Sequence, residues 1–431
     1  MGGGGRVEMG TPWVAAVGPA WVEVDLDAVV GNLTAVRRLL APGCRLLAVV
    51  KANAYGHGAV DVARALVGAG ADGLGVSTVA EGLALRVAGL VGPILVFTPP
   101  RAVDIGAALD SGLSVTVVSI ASARMVADAA ARHGLPATVH LKCDTGMGRY
   151  GIRAADLPAA ASDLARLNGP LRWEGVYTHF PRGGDAPTCR RQLSAFLKAV
   201  DGAEAAGLRF AVRHAAASSA VLSCPEAHLD MVRVGNLLYG DSPPGLSRPA
   251  GLRRGFALRA EVAQVRDLPP GATVGYGSAW RASRPTRVGV VPVGFADGLD
   301  TGPLGPYRRP GVLLRALARA FLEAIGLGRR LRGSAAGDIE IGGHRVPVLG
   351  RVGMQQVTVD LSDLPAGMSL PPAVVRVRAL AAGAHLARVY LRDGVPLRAA
   401  TLSGPVEHPS RAGATPGKRE SAPDHESPGI P

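Results

Sequence analysis

Leu46-Leu47-Ala48-Val49-Val50-Lys51-Ala52-Asn53-Ala54-Tyr55-Gly56-His57-Gly58 decides the fold. The apolar run 46–50 reads as a buried strand, and it ends in a lysine followed by a turn punctuated by glycine. An ammonium at the mouth of an apolar element is partly desolvated. Its pKa falls, leaving free amine able to condense with an aldehyde. The plainer alternative is a strand-end lysine snorkelling to water. Composition separates the two. Of 47 Lys+Arg residues only Lys51, Lys142, Lys198 and Lys418 are lysines, so arginine serves almost everywhere a surface cation suffices. A lysine that remains is needed as an amine, because guanidinium forms no imine.

Working outward, apolar β-rich runs recur at 73–76, 93–97, 114–118, 138–141, 173–177, 209–212 and 231–234, with helical stretches between them. With 46–50 they make eight. Near-continuous apolar strands alternating with helices call for a parallel sheet covered on both faces, and eight units close a (β/α)8 barrel; a doubly wound open sheet is the other architecture for this pattern. Barrel chemistry collects at the C-terminal strand ends. Here those ends carry Lys51, Lys142, His179, His214 with Ser218, and Arg233 with Gly235. Upstream, 20–26 alternates as a strand and passes into an amphipathic helix over 27–40. After Asp241-Ser242-Pro243-Pro244 the alternation stops. Short runs at 256–265, 286–293, 338–341, 346–349 and 356–359 between Gly and Pro predict a mainly antiparallel β domain.

At 431 residues the chain accommodates two full cores. We expect a flexible N-terminus over 1–19, a barrel domain over 20–245, a β domain over 246–402 and a disordered Pro/Gly/Ser/charge-rich tail over 403–431. An insertion at 301–337 holds seven arginines against Glu323, and Val312, Leu313, Leu317, Phe321 and Ile325 have the spacing of a surface helix. The net charge of +13 raises nucleic acid or a membrane as partners. The arginines are scattered, no basic motif is interleaved with aromatics, and no apolar run approaches the ~20 residues of a spanning helix, so neither is expected. The balance suits small anions such as a phosphate and a carboxylate. Cys44, Cys143, Cys189 and Cys224 are widely spaced, as in reduced cytoplasmic thiols, and His140 with Cys143 at a strand end makes no metal pair. The glycine-rich start is a poor signal peptide.

The stretch around Lys51 closely resembles the cofactor-lysine motif of the alanine racemase family, pyridoxal-phosphate enzymes with an α/β barrel and a second β domain. His140-Leu141-Lys142-Cys143-Asp144-Thr145-Gly146-Met147-Gly148-Arg149-Tyr150-Gly151 is a second dense match. The resemblance covers about 21–390. It implies that Lys51 carries the cofactor, that strand 20–26 pairs into the β domain, and that Tyr55, Ser218, Gly235, Asn236 and Tyr390 meet the phosphate. By the same likeness Arg149 holds the substrate carboxylate, Lys142 is the lysine often carbamylated to fix that arginine, and His179 lies against the cofactor ring. Arg233 in Met231-Val232-Arg233-Val234-Gly235-Asn236 would donate to the pyridine nitrogen and keep it unprotonated, where related barrel decarboxylases place a carboxylate. Tyr276 in Val274-Gly275-Tyr276-Gly277 matches the second acid/base, supplied in the family by the other subunit of a head-to-tail homodimer.

The resemblance therefore implies a cytoplasmic isomerase acting on an amino acid, most simply alanine, to make D-alanine for the cell wall. Racemisation of serine, decarboxylation on the same scaffold, and a cofactor-binding homologue with lost or altered activity are the other readings. Departures bear on substrate choice. Ala217 stands where the family has Asn, Phe295 where it has an entrance tyrosine, and Gln355 where an aspartate is usual, while Met354 keeps a backbone N–H for the substrate carboxylate. A strand pair after Asp360 is hard to find before Ala387-Arg388-Val389-Tyr390.

Overall fold

A computed structural model describes residues 17–167, 169–299, 339–377, 380, 385–401 and 404–406. After β1 (Ala20–Asp25) come the strands β2 (Arg45–Val49), β3 (Gly73–Val76), β4 (Ile94–Val96), β5 (Ser114–Val117) and β6 (Ala137–Asp144). A short β7 (Ile152–Arg153) pairs beside β6, and β8 (Leu171–Tyr177), β9 (Val212–His214) and β10 (Met231–Val234) follow. The order β10-β2-β3-β4-β5-β6-β8-β9 is parallel throughout. Ala217 bridges to Arg233, and the Arg233 N–H donates to the Ala216 carbonyl at 3.0 Å, which brings β10 against the chain leaving β9 and closes the ring. Seven of the expected strands fall in the barrel at or close to their apolar runs, because residues buried on both faces must be apolar; the one expected at 209–212 runs instead over Val212–His214.

Helices cover the outside. The one over Val79–Val87 starts in a capping box between Thr78 and Glu81, and the same Glu81 also accepts the Ala52 N–H at 2.7 Å. A cap of one βα unit thereby pins the loop of its neighbour.

β1 does not belong to the ring. It runs antiparallel to β11 (Phe256–Ala260) and parallel to a late strand. Between these come β12 (Gln264–Leu268), β13 (Thr273–Val274), β14 (Trp280–Arg281), β15 (Thr286–Val291), β16 (Ile339–Ile341), β17 (His344–Val346), β18 (Val348–Leu349), β19 (Val357–Asp360) and β20 (Ala373–Val375). The chain ends in β21 (Ala387–Arg392), which is β1's parallel partner, β22 (Val395–Thr401) and β23 (Gly404–Val406). They form one sheet in the order β17-β16-β20-β11-β1-β21-β22-β23, a second in the order β12-β15-β19-β18, and the hairpin β13–β14.

Three local expectations differ. The run 256–265 is two strands in two sheets, divided between Ala260 and Gln264, because period-two alternation carries no mark of where a strand changes sheet. The segment after Asp360 does hold a strand, β20, which pairs with both β11 and β16. Residues 404–406, expected in the tail, add to the edge of β22 as Gly-Pro-Val, too short a run to be read as a strand from sequence. The insertion helix and the rest of the tail lie outside the described residues.

Glycines draw three loops of the second domain together. A Cβ on Gly294 would stand 2.3 Å from the carbonyl oxygens of Gly353 and Met354, and one on Gly350 would stand 2.8 Å from the Val274 oxygen. The loops carrying Tyr276, Phe295 and Met354 therefore sit side by side. Gly294→Ala is expected to destabilise the protein by roughly 2 kcal/mol, because both obstacles are backbone. Urea unfolding checks this, and an unchanged midpoint refutes it.

Candidate active site

The turn after β2 is left-handed. Ala52, Asn53, Ala54 and Tyr55 all have φ between 51° and 55°, and this conformation costs an L-residue with a Cβ about 1–2 kcal/mol each. The surroundings impose it. The Ala54 N–H donates to the Val50 carbonyl at 2.8 Å, the Gly58 N–H to the Asn53 carbonyl at 2.9 Å, and the Ala59 N–H to the Asn53 side chain at 2.9 Å. Buried His57 turns Nδ1 to the Ala54 and Tyr55 carbonyls at 2.9 and 3.2 Å, and Arg388 of β21 donates to the Gly56 carbonyl at 3.0 Å. Tyr390, two residues on, places its hydroxyl against Gly58 and bonds to Asp61. The tight reversal leaves half-buried Lys51 at the barrel mouth and Tyr55 folded inward. Burial first, and then the nearby Arg149, pull the Lys51 ammonium below its ordinary pKa, with Arg233 adding to the effect and Glu81 opposing it.

Tyr55 reaches the end of β10. The Cβ that Gly235 lacks would lie 2.4 Å from the Tyr55 hydroxyl, so glycine alone leaves that space. Gly235 donates its N–H to Ser218 Oγ at 3.2 Å, which leaves the serine proton for another acceptor. Asn236 is exposed beside it. A phenol, a hydroxyl and a loop amide gathered beside a desolvated amine fit the phosphate and aldehyde of the expected cofactor.

Arg233 is fully buried yet donates to the Thr178 and Ala215 carbonyls at 2.7 and 2.9 Å, and meets His214 Nδ1 at 3.0 Å and His179 Nδ1 at 3.4 Å. Burial lowers it to about 10, so it stays a cation at neutral pH. Burial and then this cation push His179 down to about 2, so its imidazole is neutral. Lys142 is buried with its Nζ 4.3 Å from the centre of the Tyr177 ring, and burial, Arg233 and Arg149 together lower its pKa strongly. Arg149 itself is exposed, on a loop knotted by Asp144, whose carboxylate accepts the N–H groups of Gly146, Met147 and Gly148 at 2.8 to 2.9 Å. No ion pair or hydrogen bond joins Arg149 to Lys142. The mouth is thus a cluster of cations open to anions.

The second set lies elsewhere. Tyr276 is 76% exposed at the tip of the β13–β14 hairpin, beside Phe295 at 45% and Met354 at 62%. Gln355 meets His385, which faces the buried carboxylate of Asp297 at 3.8 Å. Among the described residues no hydrogen bond, ion pair or ring contact joins this loop cluster to the barrel mouth. Sequence reasoning missed Glu81, His57, Tyr177 and Glu174. Two of them left a signal: Glu81 as the last residue of the capping-box pattern Thr78-Val79-Ala80-Glu81, and Glu174 as a charge in the otherwise apolar strand Trp173-Glu174-Gly175-Val176-Tyr177.

A parallel eight-stranded barrel with a depressed-pKa lysine at one strand end, joined to a separate β domain, defines a class of amine-chemistry enzymes. The family description "Alanine racemase, N-terminal domain" matches residues 24–243, and "Alanine racemase, C-terminal domain" matches 256–309. Over 358 residues the chain is 39% identical to the alanine racemase of Desulfosudis oleivorans, and over 352 it is 37% identical to that of Desulfovibrio desulfuricans. Each match covers 80% of this chain, with 84% and 86% of the relative. The crystal structure of alanine racemase from Streptomyces lavendulae superposes with a TM-score of 0.72 at 34% identity, covering 87% of this chain and 97% of that one. The chain belongs to the alanine racemase family and is an isomerase.

The clamp on the turn predicts a pH dependence. Burial lowers His57 to about 4 from the 6.5 of an exposed histidine. Between these values the unfolded chain binds a proton that the folded chain refuses, so stability rises with pH across that window. His57 alone accounts for a loss of about 2 kcal/mol from pH 7 to pH 5. His57→Asn should remove that share of the drop in urea unfolding, and a slope equal to wild type refutes it.

Proposed function

We propose that the protein racemises alanine with pyridoxal phosphate, using Lys51 and Tyr276 on opposite faces of the substrate Cα. The observation that carries this reading is the desolvated Lys51 amine in a mouth of cations, with Tyr55, Ser218 and Gly235 converging beside it. When bound, the cofactor supplies an electron sink that acidifies the α-hydrogen. Lys51 Nζ is the covalent anchor, and Tyr55, the Ser218 hydroxyl and the Asn236 amide hold the phosphate, while Tyr390 supports the turn that aims Lys51. Arg233, cationic at neutral pH, would donate toward the ring nitrogen and so disfavour a proton there, a role that suits proton return to Cα rather than loss of carbon dioxide. Arg149 and the Met354 N–H bind the substrate carboxylate. Lys51 moves the proton on one face and Tyr276 on the other.

A phenol three-quarters exposed on its own chain is suited to a second copy's site. We infer a head-to-tail homodimer in which each barrel mouth is completed by the partner subunit's Tyr276. Phe295 beside that phenol makes the entrance less polar, which favours a small apolar side chain such as that of alanine over serine. Buried Lys142, whose ammonium form is disfavoured by burial and by the nearby Arg233 and Arg149, is set to add carbon dioxide at its amine as a carbamate, whose negative charge would face Arg149 and Arg233. Among the described residues no helix is long and apolar enough to cross a membrane, and we place the enzyme in the cytoplasm, supplying D-alanine to the cell wall.

Purified protein incubated with L-alanine or L-serine should form D-alanine much the faster, and no D-product from either overturns the reading. Lys51→Ala and Tyr276→Phe should each lose at least about a hundredfold in kcat, as expected for removal of an acid/base group. Mixed and re-associated, the two inactive variants should recover roughly a quarter of wild-type activity, because random pairing makes half the dimers hybrids with one intact site. Absence of recovery, with hybrids present by native mass spectrometry, rejects the shared site. Carbon-13 dioxide should give a carbamate resonance that Lys142→Arg abolishes.

A further inference from the structure

The barrel interior holds an unbroken line of hydrogen bonds from Arg233 to the opposite mouth. Arg233 meets His214 Nδ1 at 3.0 Å, His214 Nε2 meets His140 Nδ1 at 3.0 Å, and His140 Nε2 meets Glu174 Oε2 at 3.1 Å. Guanidinium can only donate, so His214 Nδ1 must accept. Neutral His214 then carries its proton on Nε2 and donates to His140 Nδ1. That ring in turn carries its proton on Nε2 and donates to the carboxylate. Every dipole in the line points the same way, and the one group that fixes the direction from the far end is Glu174.

Two further observations mark the line as built. The register of β6 on β8 slips between Val139 and His140, which pair with Trp173 and Gly175, so Glu174 is an extra residue in a bulge, the device that re-aims a side chain. A Cβ on Gly175 would stand 2.3 Å from His140 Nδ1, so the ring fits only because the next residue is glycine. Glu174 ends at a cavity of about 40 Å³ bordered by Arg45, Asp72, Ser114 and Met231, where Arg172 and Ser114 bond its oxygens at 3.0 and 3.3 Å. Tyr177 stacks on His214 with ring centres 4.8 Å apart, and Lys142 Nζ lies over the Tyr177 ring.

We propose that Glu174 is a positioning residue for the racemase reaction: through His140 and His214 it fixes the imidazole tautomers that hold the Arg233 guanidinium in the barrel. This rests on Arg233 serving the cofactor ring as described above. The carboxylate acts from the face of the barrel away from substrate, so it touches neither substrate nor cofactor. Arg233 favours the same tautomers from its end, but without the carboxylate the buried His140 Nε2–H loses its acceptor, and the reversed tautomer with the proton on Nδ1 gains population. His214 Nε2 would then have to accept, its own proton would move to Nδ1, and a donor would oppose Arg233.

The test uses the holoenzyme with ring-nitrogen-labelled histidine. Two-bond proton–nitrogen spectra of wild type should show His140 and His214 both neutral with Nε2–H. Glu174→Leu should shift a measurable fraction of both to Nδ1–H, lower kcat on the order of ten- to a hundredfold and leave the KM for alanine within about twofold. Glu174→Gln, whose amide oxygen still accepts, should restore the Nε2–H tautomers and most of kcat. Nδ1–H on either ring in wild type, unchanged tautomers in Glu174→Leu, or no rescue by Glu174→Gln each overturns the proposal. Lys51→Ala should abolish activity with wild-type tautomers, so failure of the lysine's assigned role and failure of this relay are read on separate signals.

Discussion

The structure depends on holding one amine at the end of an apolar strand in a backbone conformation that L-residues avoid. Four successive left-handed residues cost about 4–8 kcal/mol by the usual penalty, as much as many domains have in net stability. The turn persists because other elements over-determine it: Glu81 from the next βα unit, His57 from within, and Arg388 with Tyr390 from the second domain. Strain at a functional residue is stored in this way, by surroundings that leave no alternative. The β domain is therefore structurally joined to the barrel's chemistry through β21, beyond any role of its own loops.

Burial of charge is the second theme. Arg233, Lys142, His140 and His214 lie in the barrel's interior, where a cation without partners would be very costly. Arg233 is tolerated because carbonyls and an imidazole take its protons, and it in turn keeps the neighbouring histidines neutral. Lys142 has a tyrosine ring instead of a carboxylate, and its pKa falls accordingly. Among the described residues the one carboxylate bonded to this group is Glu174, three hydrogen bonds from Arg233. The mouth remains positive toward solvent, where phosphate and carboxylate ligands would complete it.

The second domain gathers its own set by backbone proximity. Gly294 and Gly350 allow loops to meet at distances a side chain would forbid, and Tyr276, Phe295 and Met354 emerge together into solvent. An exposed phenol thus stands beside two exposed apolar side chains on one surface.

Sequence by itself determined the number of barrel strands and the place of seven of them, because burial on both faces demands uninterrupted apolar runs; the short β9, displaced from 209–212 to Val212–His214, has too few apolar residues to be placed that way. It also marked Lys51, Lys142, His179 and Arg233, because rare lysines and charges at apolar runs stand out; Lys51 and His179 do follow their strands, whereas Lys142 and Arg233 lie within β6 and β10. The second domain was legible as antiparallel, but the break of 256–265 into two sheets was not, since period-two alternation is the same on either side. Nor was the left-handed turn, for Ala52, Asn53 and Ala54 carry no local preference strong enough to announce it. Tertiary structure alone decided that Glu174 faces His140, because a one-residue slip in register turns a side chain to the other face and register is set by packing across strands.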